Sequence, residues 1–408
     1  MKKFLFLLLM FMLIVSPVYA DDGHFETLFE GNGMSSMWVK LQDGRVLLWK
    51  LGRSDNNRIF NPVTNTVQSV VKSKDGIEMH SGALLNDGKV LLFGSVNFDI
   101  SRAVKDELYN LIKDDIVKNY AIEHKTLVSP EKAKEIIKQD RQKFYALTPA
   151  EMYERCYLHL NKNPDLKNRF IEYARLYEKA THAQIYNPNT NTFEYAGVTN
   201  VNKRYIPTIV ALKNGNAIVY NDTHAEIYDY QTGLFHPIEY NKNIWYSEPI
   251  LLDDGRVLFI NSKECVFYNP NNESFVNSGY AIKGLNFVKL QNGIILYKPE
   301  NYGLELKTFN PDTGKSSYAG ELLIKRLWGK SILLKDGRVM VYDGINPDRS
   351  GFFMGDVPEN RIEIFDPNSG KSKIIGRNKL NHYISDAILL DDGRVLFPMV
   401  GEVFVPKK

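Results

Sequence analysis

Leu251-Leu252-Asp253-Asp254-Gly255-Arg256-Val257-Leu258-Phe259 returns almost letter for letter as Leu389-Leu390-Asp391-Asp392-Gly393-Arg394-Val395-Leu396-Phe397. Two apolar runs rich in Leu and Val flank an Asp-Gly pair, and Asp-Gly supplies the positive φ of a tight hairpin turn. Each copy therefore reads as two antiparallel strands. Glycines of the same turn recur at Gly44, Gly88, Gly215, Gly255, Gly293, Gly337 and Gly393, which defines seven units. Their spacing suits four-stranded propeller blades, whose period is roughly 40 to 50 residues. The interval from Gly88 to Gly215 is far longer and marks an insertion.

A third strand ending in an Asn-Pro or Asp-Pro turn follows, as in Gln184-Ile185-Tyr186-Asn187-Pro188, Val266-Phe267-Tyr268-Asn269-Pro270 and Glu363-Ile364-Phe365-Asp366-Pro367. A fourth comes next, as in Thr192-Phe193-Glu194-Tyr195. Each unit is a meander of strands A to D that cannot hide its own edges and faces, and stacking several units does so. The fold expected is an all-β, seven-bladed β-propeller. In the seventh unit the chain ends two residues after the third strand, Glu402 to Pro406. The missing strand is expected from His24-Phe25-Glu26-Thr27-Leu28-Phe29, which has no other partner.

Residues 100–181 change texture and read as a helical insertion in the second blade. Val104, Leu108, Leu111, Ile112 and Tyr120 keep helical spacing, while Ser129-Pro130, Thr148-Pro149 with Glu151, and Asn163-Pro164 are helix starts. About four helices are expected, with Met152, Tyr153, Tyr157, Phe170, Ile171 and Tyr177 as their core.

Lys2 and Lys3, the apolar run Phe4 to Val15 and the small-residue site ending at Ala20 read as a signal peptide over residues 1–20, with the mature chain 21–408 starting near Asp21. The apolar run falls short of the roughly 20 residues that span a bilayer, so no retained membrane span is expected. The protein is expected to be secreted, periplasmic or at the cell surface. Without Lys2 and Lys3 the chain is close to neutral, with 51 basic and 48 acidic residues before their removal, so nucleic acid is not an expected partner. Cys156 and Cys265 are too few for a disulfide framework and read as buried thiols.

Met79-His80-Ser81-Gly82-Ala83-Leu84-Leu85-Asn86-Asp87-Gly88-Lys89-Val90, followed by Gln184 to Phe193, resembles the kelch repeat of galactose-oxidase-like propellers. The resemblance covers the mature chain except the helical insertion. It departs in two features: paired glycines after the second strand are absent, and Phe193, Phe235 and Phe275 replace the usual Trp of the fourth strand. In galactose oxidase the resemblance would imply copper held by two Tyr and two His, one Tyr cross-linked to Cys, with an adjacent Tyr-His pair. Here the order is His382-Tyr383, and alternating side chains make the order matter. No catalytic residue, metal ligand or cofactor is therefore carried over, copper oxidase activity is not expected, and a structural role is assigned to His80.

The A–B and C–D turns are nearly constant, whereas the B–C and D–A connections hold the insertion and the long Asp343–Asn360 segment. Function concentrates on variable loops carried by a rigid scaffold, so the latter set is the candidate. Counting back from each turn glycine aligns the starts of the innermost strands. Eleven back stand Arg204, Arg326 and His382; nine or ten back stand Tyr205, Trp245, Tyr246, Trp328 and Tyr383; seven back stand Ser81, Glu248, Asn286, Lys330 and Asp386. Aromatic rings beside cations suit a sugar ring or an anionic chain. The expected function is a binding module for a protein or glycan. The alternatives are a carbohydrate-active enzyme of epimerase or lyase type, using Glu248, Lys330 and Asp386 as acid–base groups, and an envelope assembly component whose helices dock a partner.

Overall fold

The structure, a computed structural model, describes residues 22–29, 36–50, 57–96, 98–201, 207–300, 303–348, 358–379 and 386–407. The expected signal peptide lies outside these residues, as do Arg204, Tyr205, His382 and Tyr383. Seven antiparallel four-stranded sheets form, one for each repeat. They divide between two compact units: residues 34–281 carry blades one to four, and residues 1–33 with 282–408 carry blades five to seven.

The repeat earns its hairpin through two side chains. Gly255 and Gly393 have φ of 90° and 91°, which a residue with a Cβ adopts only at a steric cost. The Asp or Asn before each glycine accepts the N–H two residues on, at 2.9 to 3.1 Å in all seven blades. The residue two before the glycine reaches the same position of the next blade. Gln42 Nε2 donates to Asn86 O at 2.7 Å, Asn86 Nδ2 to Lys213 O at 3.4 Å, and Lys213 Nζ to Asp253 O. In the other unit Gln291 Nε2 donates to Lys335 O at 3.0 Å, and Lys335 Nζ to Asp391 O. The constant end of each blade is thus occupied by blade-to-blade bonds.

A second device acts at the opposite end, on the connection that enters a blade. Within its first three residues the third strand carries a buried Gln184, Glu226, Glu363 or Glu402 in blades two, three, six and seven. Each accepts a backbone N–H from that connection: Lys74 at 3.0 Å, Asn200 at 3.2 Å, Leu323 at 2.6 Å and Lys379 at 2.7 Å. Burying a polar group, and a carboxylate above all, is costly unless it is hydrogen-bonded, so this glutamine and these three acids fix where the D–A connections run.

Blade seven takes its fourth strand from the N-terminal segment. Gly23–Thr27 pairs antiparallel with Glu402–Pro406, setting Phe25 opposite Phe404 with ring centroids 5.2 Å apart. The outer edge of the sheet is thereby supplied by the start of the chain, as the incomplete seventh repeat implies.

Four helices lie between the second and third strands of blade two: α1 (Phe98–Glu123), α2 (Pro130–Tyr145), α3 (Pro149–Asn161) and α4 (Pro164–Ala180). All three expected starts are used. Ser129 and Asn163 cap their helices, and Thr148 with Glu151 forms a reciprocal capping box. The inward stripe is Met152, Cys156 and Leu160 on α3 with Leu166, Phe170 and Tyr173 on α4. Tyr157 and Ile171, expected inside, are 49% and 53% exposed because each stands one position past that stripe. The helical core is continuous with Ile77, Met79 and Val96 of blade two. On the outside Asp75 receives Lys179 Nζ at 2.8 Å and the Tyr195 hydroxyl. Cys156 and Cys265 are both buried thiols outside any disulfide, and burial pushes Cys156 up to about 11.

Candidate functional site

Two residues stand out at the starts of the first strands. Tyr246 and Trp328, each nine before its turn glycine, have φ of 60° and 53° and are 90% and 57% exposed. A bulky side chain in the left-handed region costs on the order of 1–3 kcal/mol and persists only where its surroundings hold it. Both rings nevertheless leave more than half of their surface in solvent, a second cost.

In blade six the holding structure is polar. Arg326 is fully buried and reaches Glu363 Oε1 through Nε at 3.3 Å and Nη2 at 3.1 Å. Its other donors go to Asp343 O at 3.1 Å and Arg361 O at 2.7 Å. Leu327 and Ile345 exchange two backbone hydrogen bonds of 2.9 Å. Gly344, at φ 93°, lies so close that a Cβ there would stand 2.5 Å from Leu327 O. Behind it Glu359 accepts Arg361 Nε at 2.7 Å and Asn346 Nδ2 at 2.9 Å. Burial opposes ionisation of Glu359, but these donors outweigh it and hold the carboxyl down to about 2. The B–C loop of blade six and the 326–329 segment are therefore one assembly. Arg326, expected at the mouth, is withdrawn from solvent and fixes the backbone that presents Trp328.

In blade four the holding structure is apolar. Ile244, fully buried, plugs the core and ends a short 3-10 turn, Lys242–Ile244. Asn241 caps that turn, Asn261 Nδ2 donates to Asn243 O at 2.8 Å, and Ser247 Oγ donates to Ile244 O at 2.5 Å. The half-buried Trp245 lies against Tyr246 with centroids 5.0 Å apart, and Glu248 opens the following strand in an exposed position.

Seven before the turn glycine, blades five and six place Asn286 and Lys330 on their first strands, Gly284–Lys289 and Lys330–Leu333, and blade seven places Asp386 two residues ahead of its first strand, Ile388–Leu389. Lys330 Nζ lies 3.5 Å from Asp386 Oδ1, both side chains 41% exposed. Asn286 is itself left-handed, φ 57°, and its Nδ2 sits 3.5 Å from where a Cβ on Gly329 would be. Tyr342 Oη accepts the N–H of Ala387 at 3.0 Å, anchoring the strand beside Asp386. Burial raises that phenol and keeps it neutral. In blade two Ser81 Oγ is buried with no hydrogen-bond partner among the described residues, and His80 Nε2 lies 2.7 Å from Ser95 Oγ. Burial lowers the His80 pKa, which suits a neutral structural imidazole. The structure thus pairs Lys330 with Asp386 in one unit, with Trp328 two residues ahead of Lys330, and Trp245 with Tyr246 in the other, with Glu248 two residues after Tyr246.

Sequence reasoning missed Glu363 and Glu359, the partners that take Arg326 inside. The available signal was an acid opening an otherwise apolar third strand, as in Glu226-Ile227-Tyr228 and Glu363-Ile364-Phe365. Among the described residues no group of three or more His, Cys, Asp or Glu is gathered to hold a metal ion, and no helix is long and apolar enough to cross a membrane.

The sequence matches no protein-family model and no curated protein. Solved structures do share its fold. A fungal alcohol oxidase of the AA5 family, in complex with copper, aligns at a TM-score of 0.57 and 11% identity over 95% of this chain and 76% of the oxidase. Streptogramin B lyase aligns at 0.55 and 9% over 95% of this chain and 98% of the lyase. Virginiamycin B lyase from Staphylococcus aureus aligns at 0.54 and 8% over 93% and 98%. The chain has the fold of a seven-bladed β-propeller with a four-helix insertion. Identity this low speaks for the fold alone.

Proposed function

We propose that this chain is an exported, kelch-type propeller module that binds a protein or glycan ligand through the connections entering its first strands. The observation that carries this reading is the pair Tyr246 and Trp328: exposed aromatic rings, in strained backbone, at one register of two repeats. Strain and exposure together are retained where a ring has something to meet. The half-exposed Lys330–Asp386 pair and Glu248 supply polar contacts beside them. Arg204, Tyr205, His382 and Tyr383 belong to the same register and extend the proposal.

The test is retention of ligand by the full chain on glycan arrays and in pull-downs, with Tyr246→Ala and Trp328→Ala in parallel. Loss of retention by either variant at unchanged melting temperature supports the reading; full retention by both ends it. A second reading, a carbohydrate-active enzyme, is favoured by one observation: Lys330 and Asp386 pair a base and an acid in partly exposed positions. Asp386→Asn would then abolish turnover of a bound glycan and spare its binding.

A further inference from the structure

We propose that Trp328, Asn286, Lys330 and Asp386 form a subsite for one uncharged sugar ring presenting two adjacent hydroxyls. This rests on the binding reading above and narrows it to a ligand class. Lys330 and Asp386 are 3.5 Å apart and equally half-exposed, so donor and acceptor face solvent side by side with no net charge between them. Adjacent hydroxyls of a pyranose span a comparable gap, and each hydroxyl both donates and accepts. One accepts from the ammonium, its neighbour donates to the carboxylate, and the ion pair is bridged without being broken. A carboxylate-bearing sugar would meet Asp386 as a like charge, and an ammonium-bearing one would meet Lys330. Asn286, on the preceding blade and beside Gly329, adds an amide with both a donor and an acceptor. Trp328, two residues ahead of Lys330, supplies the flat apolar surface that the C–H face of a sugar needs.

Construction of the subsite is rigid. Tyr342 fixes the strand beside Asp386, and Arg326 with the Leu327–Ile345 bridge fixes Trp328. Preorganisation of this kind lowers the ordering cost of binding.

The experiment is titration of the full chain with neutral mannan and galactan oligosaccharides, with the same oligosaccharides after hydroxyl methylation, and with oligogalacturonate. Neutral oligosaccharides are expected to bind equally at low and high salt, and methylated ones to be lost. Lys330→Gln and Asp386→Asn, both folding normally, should each weaken binding by about tenfold, as expected for one charged hydrogen bond. The double variant should lose less than the product of the two. Tighter, salt-sensitive binding of oligogalacturonate, or single variants without effect, overturns the subsite while leaving a Trp328-dependent binding module in place. Trp328-dependent capture of a protein with no oligosaccharide bound does the same. Oligosaccharide binding that survives both Trp328→Ala and Tyr246→Ala removes the binding reading itself.

Discussion

Trp328 and Tyr246 occupy one position of the repeat, share a left-handed backbone and lie in solvent, yet the protein holds them by opposite means. Blade six uses a buried ion pair: Arg326 against Glu363, tied to the B–C loop through Asp343 O and Arg361 O. Blade four uses an apolar plug, Ile244, with neutral hydrogen bonds around it. Register comes from the repeat, whereas rigidity comes from whatever neighbours that register happens to meet. A polar clamp is specific and fragile, because half of it is worse than none; an apolar plug is tolerant and loses stability in proportion to the atoms removed.

The comparison breaks most visibly at the clamp. Arg326→Met strands Glu363 as an uncompensated buried carboxylate and should cost about 3–5 kcal/mol in urea unfolding. Ile244→Ala should cost about 2–5 kcal/mol, toward the lower end where the short turn can settle into the space. If Ile244→Ala proves the more damaging of the two, the polar clamp is not what holds blade six.

A pH titration separates the two regions next. Glu359 is held at about 2, against an ordinary 4.5, so its contribution is complete above pH 4.5 and is lost as pH falls toward 2. Hydrogen exchange of the 326–330 peptide should accelerate through that window, while the 243–248 peptide, held by the Ile244 plug and hydrogen bonds between neutral groups, should not follow. Glu359→Gln should flatten the difference.

The smallest effect tests the strain itself. Trp328→Gly and Tyr246→Gly should each change stability by only about 0.5–1 kcal/mol, in the stabilising direction, since relief of the left-handed backbone outweighs the added freedom of the unfolded chain. Both should lose ligand retention. Destabilisation by either would mean that the exposed ring packs as structure.

Most of the architecture could be read from residues. The Asp-Gly and Asn-Pro corners, the unfinished seventh repeat and the Ser, Thr and Asn caps are local chemistry, decided within four or five residues, and local chemistry is what a sequence displays. The candidate register was legible for the same reason, since counting from a turn glycine locates a strand start. What counting could not give was direction. Arg204 and Arg326 align in sequence as two mouth cations, but Arg326 turns inward because Glu363, distant in the chain and adjacent in the sheet, waits there.

The helices show the same division. Their starts were written in the chain, yet the inward stripe passes through Cys156 and Tyr173 and leaves Tyr157 and Ile171 outside. Hydrophobicity alone does not distinguish two apolar stripes one position apart; only the surface they must cover does. By itself the sequence determined the seven sheets, the strand that finishes the last of them and the place of the helices. Only the tertiary structure decided which charges are buried and which rings stay bare, because burial is a property of partners brought together from far along the chain.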